Sequence, residues 1–216
     1  MKYKCLVFDH DDTVVNSTAT IHYPCFQLFL DERYPGRRCS LEHYFIANFS
    51  PGFLEMCRGE FGMDEDAIRD ETAYWLNYVE THVPTAYPGI REIMERQRAE
   101  GGLIAVVSHS HERNILRDWA ANGLPAPDAV YGWERPERER KPYPFPLEDL
   151  MRRYALRPEE MLMIDDLKPG YDMARAASVP FAAVGWANDI PRIESFMRQN
   201  CKRYFKTVEE LDAFLR

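Results

Sequence analysis

No stretch of this chain is apolar for long enough to span a bilayer, which takes about 20 consecutive apolar residues. No charged segment running into a long apolar one opens the sequence, so neither membrane nor secretory leader is expected. Positive charge is scarce: 27 lysines and arginines stand against 35 aspartates and glutamates, a formal net charge of −8. This argues against sequence-independent binding of nucleic acid, which needs a basic surface. A small anionic ligand is not excluded, because a local cation can outweigh the global charge. Cysteine is odd in number (Cys5, Cys25, Cys39, Cys57 and Cys201) and forms no CxxC pair. That argues against a disulfide framework or zinc site and for a reducing compartment. Internal repeats and low-complexity tracts are absent. What remains is a soluble, cytoplasmic protein of 216 residues, 45% hydrophobic and 29% charged. That is enough for one large domain, or a core with a smaller insert.

The most informative feature present is Phe8-Asp9-His10-Asp11-Asp12-Thr13, directly after the apolar run Cys5-Leu6-Val7-Phe8. A buried strand that ends in three carboxylates carries mutual repulsion, relieved only by a shared proton or a cation. Open α/β proteins bind ligands at the ends of parallel strands, so Asp-x-Asp at such an end points to metal-assisted chemistry. The plainer alternative is an aspartate-rich turn.

From Ala86 onward, apolar runs alternate with helical patterns. Helices are predicted over Ile90–Ala99, Glu112–Ala121, Phe145–Tyr154, Pro169–Ala177 and Val208–Leu215. Strands are predicted over Leu103–Val107, Asp128–Tyr131, Met161–Ile164 and Pro180–Val184. This alternation implies a doubly wound parallel sheet of Rossmann-like α/β type. Residues 16–85 break the pattern. Their apolar residues recur at helical spacing, in Tyr23, Phe26, Leu28 and Phe29, then Leu54, Met56 and Cys57, then Tyr74, Trp75, Tyr78 and Val79. A helical insert with an aromatic core is expected there, between a core made of 1–15 and 86–216.

Polar residues follow the other strands too: Ser108, Lys141, and the pair Asp165-Asp166. With the strands parallel, these share an edge with Asp9 and Asp11. Four carboxylates, a hydroxyl and an ammonium suit phosphoryl transfer, which needs a divalent cation and fixed donors. Asp9 and Asp166 supply the oxygens that Mg²⁺ prefers, and Lys141 a point charge.

In this the chain resembles the haloacid dehalogenase (HAD) superfamily. Four motifs occur in order: Asp9-His10-Asp11-Asp12-Thr13, Val106-Val107-Ser108-His109-Ser110, Lys141-Pro142, and Met163-Ile164-Asp165-Asp166 followed by Pro169-Gly170. The resemblance implies a HAD-like core and reads the insert as an α-helical cap domain that closes over the sheet edge. It implies a phosphatase acting on a small phosphorylated metabolite. Asp9 would be the nucleophile and Asp11 the general acid and base. Asp9, the Asp11 carbonyl and Asp166 would hold Mg²⁺, with Asp165 acting through a water, and Ser108 and Lys141 would hold the phosphoryl group. A sugar phosphomutase and a non-catalytic regulatory module that binds Mg²⁺ and phosphate are the alternatives.

Asp12 stands where the family carries glycine, as a tolerated turn residue or as extra charge near the metal. His10 and His111 read as bystanders, His109 as a possible substrate contact. Arg58 is a possible contact for a second anionic group, or a surface arginine. The substrate and the oligomeric state are not legible.

Overall fold

Every residue of strand β1 (Cys5–Phe8) is buried, and the rest of the core is built outward from it. The computed structural model describes residues 2–216. After β1 come β2 (Val15–Asn16), a π-helical turn at Thr18–His22, then α1 (Tyr23–Arg33), α2 (Leu41–Phe49), α3 (Phe53–Phe61) and α4 (Glu65–Val79). The chain continues through β3 (Thr85–Ala86), α5 (Ile90–Ala99), β4 (Leu103–Val107), α6 (Glu112–Ala121), β5 (Ala129–Tyr131) and α7 (Phe145–Tyr154). It ends with β6 (Met161–Asp165), α8 (Lys168–Ala176), β7 (Phe181–Val184), α9 (Pro191–Asn200), β8 (Tyr204–Phe205) and α10 (Val208–Leu215). Two compact units result: the residues through Asn16 with Thr85–Arg216, and Ser17–Pro84.

In the first unit six strands lie in the order β5-β4-β1-β6-β7-β8, and every pairing is parallel. Side chains alternate across the sheet. Leu6 and Phe8 join Ile104, Val106 and Ile164 beneath Ile90, Ile93 and Met94 of α5, Trp119 of α6 and Leu211 of α10. Cys5 and Val7 face the other way, with Ala105, Val107, Met161 and Met163 under Leu147 and Leu150 of α7 and Met173 of α8. This is the doubly wound α/β core. Ile90, Ile93 and Met94 are completely buried, each burial contributing about 1.5–3 kcal/mol. An antiparallel ribbon of β2 and β3 pairs Val15 with Ala86 and Asn16 with Thr85. Through it the chain leaves for the insert and returns.

The second unit is helical. Ser40 caps α2 by accepting from the His43 amide at 3.1 Å, and Asp64 caps α4 by accepting from Ala67 at 2.9 Å. Each cap satisfies an otherwise orphaned amide. The interior is the aromatic cluster expected, with Phe26, Phe29, Tyr44 and Phe61 packed around Met56 and Cys57. Leu28 departs from the expectation. It is 44% exposed, because it falls on the solvent side of α1, two residues past Phe26.

Among the described residues no helix is long and apolar enough to cross a membrane. All five cysteines are free. The strand expected from Asp128 begins one residue later. The Asp128 carboxylate accepts from the Ile104 amide at 2.8 Å and from Arg98 at 2.6 Å, so it closes the preceding turn.

Candidate active site

Register brings the polar residues together. Phe8 lies opposite Val106 on one side and Ile164 on the other. Asp9, Val107 and Asp165 are therefore level on these three neighbouring strands, and Asp9, Ser108 and Asp165-Asp166 emerge at one edge. The Asp9 amide donates to the Ile164 carbonyl at 2.9 Å and the Ser108 amide to Tyr131 at 3.0 Å, so the ladder extends to the first polar residues.

Lys141 is the hub. Its ammonium lies 2.6 Å from Asp9 Oδ1 and 2.9 Å from Asp165 Oδ2, with all three side chains buried. The other Asp165 oxygen accepts from the Leu167 amide at 2.7 Å. Asp11 is held separately: Ser110 donates to its Oδ2 at 2.6 Å and Ser108 to the same atom at 3.3 Å. The Ser110 amide donates to Ser108 Oγ at 3.0 Å, which fixes both hydroxyls. Thr13 donates to Asp166 at 3.3 Å.

Burial dominates the electrostatics. It raises the Asp9 carboxyl above its ordinary range; Lys141 opposes this, while Asp165 and Asp11 add to it. Asp166 is raised well above the usual value, by burial first and then by Asp12, Asp165 and Asp9. Burial pulls Lys141 down, but the Asp165 and Asp9 charges outweigh it and the ammonium is held above its ordinary value. One cation is thus shared among more buried carboxylates than it can neutralise. Asp9, Asp165 and Asp166 each bring an oxygen within 4.8 Å of the others. A buried all-oxygen set with surplus negative charge fits a hard divalent cation such as Mg²⁺.

Asp12 is buried with φ +58°. This left-handed backbone explains why the position suits glycine, and aspartate is among the side chains that tolerate it. His109 presents an exposed edge, while Nε2 donates to the Lys141 carbonyl at 2.9 Å. Crowding by surrounding protein, with Lys141 next, pushes it down to about 4. Its ring meets Trp133 edge-on at 5.8 Å, and Arg140 lies over the Trp133 ring at 3.9 Å. Arg140 is thus a packed residue of the loop before Lys141.

The structure brings Asp9, Asp11, Ser108, Lys141, Asp165 and Asp166 together, with His109 beside them. Arg58 lies in the helical unit, where it pairs with Glu65 at 3.0 Å on an exposed face. His111 pairs with Glu134 at 2.8 Å. Sequence reasoning gave no role to Ser110 or Thr13, although both stand inside the quoted motifs; the Ser-x-Ser spacing was the available signal. The buried bonding of His10 to α6 had no sequence signal.

The chain belongs to the haloacid dehalogenase-like hydrolase family, whose model matches residues 6–184; it is an enzyme of the hydrolase class. It is 25% identical over 207 residues to a protein of Haemophilus influenzae (strain 86-028NP) named phosphoglycolate phosphatase, covering 90% of this chain and 92% of that one. A protein of the same name from Mannheimia succiniciproducens is 25% identical over 196 residues, with 85% of each chain covered. Among solved structures, a putative haloacid dehalogenase-like hydrolase from Bacteroides fragilis superposes with a TM-score of 0.81 at 22% identity, over 97% of this chain and 100% of that one. This last likeness concerns the fold.

Proposed function

We propose that the chain is a Mg²⁺-dependent phosphatase that hydrolyses a small phosphomonoester through an aspartyl-phosphate. The observation that carries this reading is the buried Lys141 ammonium bridging Asp9 and Asp165. Asp9 attacks phosphorus: a bond forms from its carboxylate oxygen as the bond from phosphorus to the leaving oxygen breaks. Asp11 gives its proton to that leaving oxygen. It then takes a proton from the water that attacks the aspartyl-phosphate, which releases inorganic phosphate and restores the Asp9 carboxylate. Ser110 and Ser108 aim Asp11 by donating to one of its oxygens. Lys141 and Ser108 bind the phosphoryl oxygens. Asp9, Asp166 and the Asp11 carbonyl would hold Mg²⁺, with Asp165 acting through a water. When bound, the ion offsets negative charge on the phosphoryl group. Residues 16–85 serve as a helical cap domain. The curated relatives named phosphoglycolate phosphatase make phosphoglycolate the first substrate to test.

The test is phosphate release from phosphoglycolate and from an aryl phosphate, with Mg²⁺, by wild type and Asp9→Asn. Wild type is expected to turn over, and the variant to lose more than about 10³-fold. Equal release by the two proteins would remove Asp9 as nucleophile. Silence of the wild type across a broad phosphoester panel would favour the regulatory module. Sugar-phosphate interconversion without net phosphate release would favour the mutase.

A further inference from the structure

His10 separates Asp9 from Asp11 in the chain and is 1% exposed, and its ring is bonded to helix α6. Trp119 Nε1 lies 3.3 Å from His10 Nδ1, and Asp118 Oδ2 lies 3.2 Å from His10 Nε2. An indole nitrogen only donates. Nδ1 therefore accepts, the ring proton sits on Nε2, and that proton is donated to Asp118. Asp118 is itself gripped. Arg117 donates to its other oxygen through Nε at 2.8 Å and Nη2 at 2.6 Å, so both carboxylate oxygens are engaged. The Asp118 carbonyl accepts from Asn122 Nδ2 at 2.8 Å, and Asn122 Oδ1 accepts from the Ala86 amide at 2.8 Å. The His10 carbonyl meanwhile accepts from the Val14 and Val15 amides at 3.0 and 3.1 Å.

His10 is therefore tied down through both its ring and its backbone. Space-filling alone does not call for this. The surrounding cluster contains Phe8, Val14, Ile115 and Trp119, and an apolar side chain would avoid the desolvation cost of a buried imidazole–carboxylate pair. What such a network adds is direction: each member has one geometry in which all partners are satisfied.

We infer that His10 is a positioning residue. The chain Trp119–His10–Asp118–Arg117 fastens the loop after β1 to α6, so that Asp9 keeps its reach to Lys141 and Asp11 its reach to Ser110. This role rests on the phosphatase reading for the tasks of Asp9 and Asp11. A displacement of about 1 Å in reacting groups costs on the order of 100-fold in rate, so a slack anchor would be felt in kcat.

The experiment compares His10→Leu, His10→Gln, Asp118→Asn and the His10→Leu/Asp118→Asn double variant. Phosphate release with Mg²⁺ is measured beside thermal unfolding, so that rates are read only on folded protein. His10→Leu is expected to lower kcat by about 10- to 100-fold with KM changed by less than about threefold. His10→Gln keeps an N–H near the Nε2 position and is expected to recover most of that loss. The double variant should be no slower than His10→Leu, since the two residues act as one unit. If His10→Leu does not fold, a kcat loss in folded Asp118→Asn at unchanged KM carries the inference. Folded variants that turn over at the wild-type rate overturn it while leaving the phosphatase reading intact. So does a His10→Gln protein as slow as His10→Leu. A wild type that releases no phosphate, as silent as Asp9→Asn, overturns both together.

Discussion

Single residues in this protein place ionisable groups in buried surroundings, and Glu71 is the clearest case away from the strand ends. It lies in α4 and is 7% exposed. His22, Cys25, Tyr44 and Cys57, from the π-helical turn, α1, α2 and α3, are near enough to interact with it electrostatically. Burial raises its carboxyl to about 7, with His22 opposing. A folded-state pKa above the unfolded one means that the native state binds the extra proton. Stability is therefore fully present below the ordinary glutamate range and is lost as pH rises through about 7. A shift of this size corresponds to on the order of 3 kcal/mol. Glu71→Gln should accordingly gain stability at pH 8, by up to about that amount, and change little at pH 4, as read from urea denaturation at both pH values. A gain of equal size at both would show that the carboxyl does not titrate with folding.

Elements matter here for where they stop. β1, β4 and β6 end within one residue of one another because their pairing register is fixed by apolar side chains alternating between two covered faces. The polar residues follow at once. Helix α8 must start tight against β6: a Cβ on Gly170 would lie 2.0 Å from Asp165 Oδ2 and 2.4 Å from its Cγ. Gly170→Ala should therefore drive the Asp165 carboxylate off Lys141. The expected result is at least a 10-fold loss of phosphatase rate and a destabilisation of about 1–3 kcal/mol, checked by kinetics and chemical denaturation. A variant with native rate would show that the helix start can shift without moving the site. At this scale much was legible. Helices α5, α6, α7 and α10 and strand β4 have the bounds their periodicity predicts. Helix α9 was missed although Pro191 marks its start and Ile193 and Met197 lie on one face. Strands β2, β3 and β8 have two residues each, too few for an alternation to register.

For the whole molecule, the net charge of −8 says less than where the charges converge. Asp9, Asp165 and Asp166 are buried together, and their repulsion is a cost to the fold that a bound cation relieves. Mg²⁺ should thus stabilise the protein against unfolding, by about 2.7 kcal/mol at one hundred times its Kd. EDTA should reverse the effect, and Asp166→Asn should weaken it. Thermal unfolding with and without Mg²⁺ checks this; an unfolding midpoint indifferent to Mg²⁺ at all concentrations would remove the carboxylates as a metal site.

The sequence by itself determined the α/β alternation, the helical nature of the insert and the residues that end the strands, because hydrophobic periodicity and strand-end polarity are local patterns. It also carried the expectation that Asp9, Asp11, Ser108, Lys141, Asp165 and Asp166 share one edge, since the carboxyl ends of parallel strands lie together. Only the tertiary structure decided who bonds to whom. Lys141 chose Asp9 and Asp165, Ser110 claimed Asp11, and His10 turned to Asp118 and Trp119. These partners lie up to 132 residues apart, and their pairing depends on distances of a few tenths of an ångström, which no local pattern encodes.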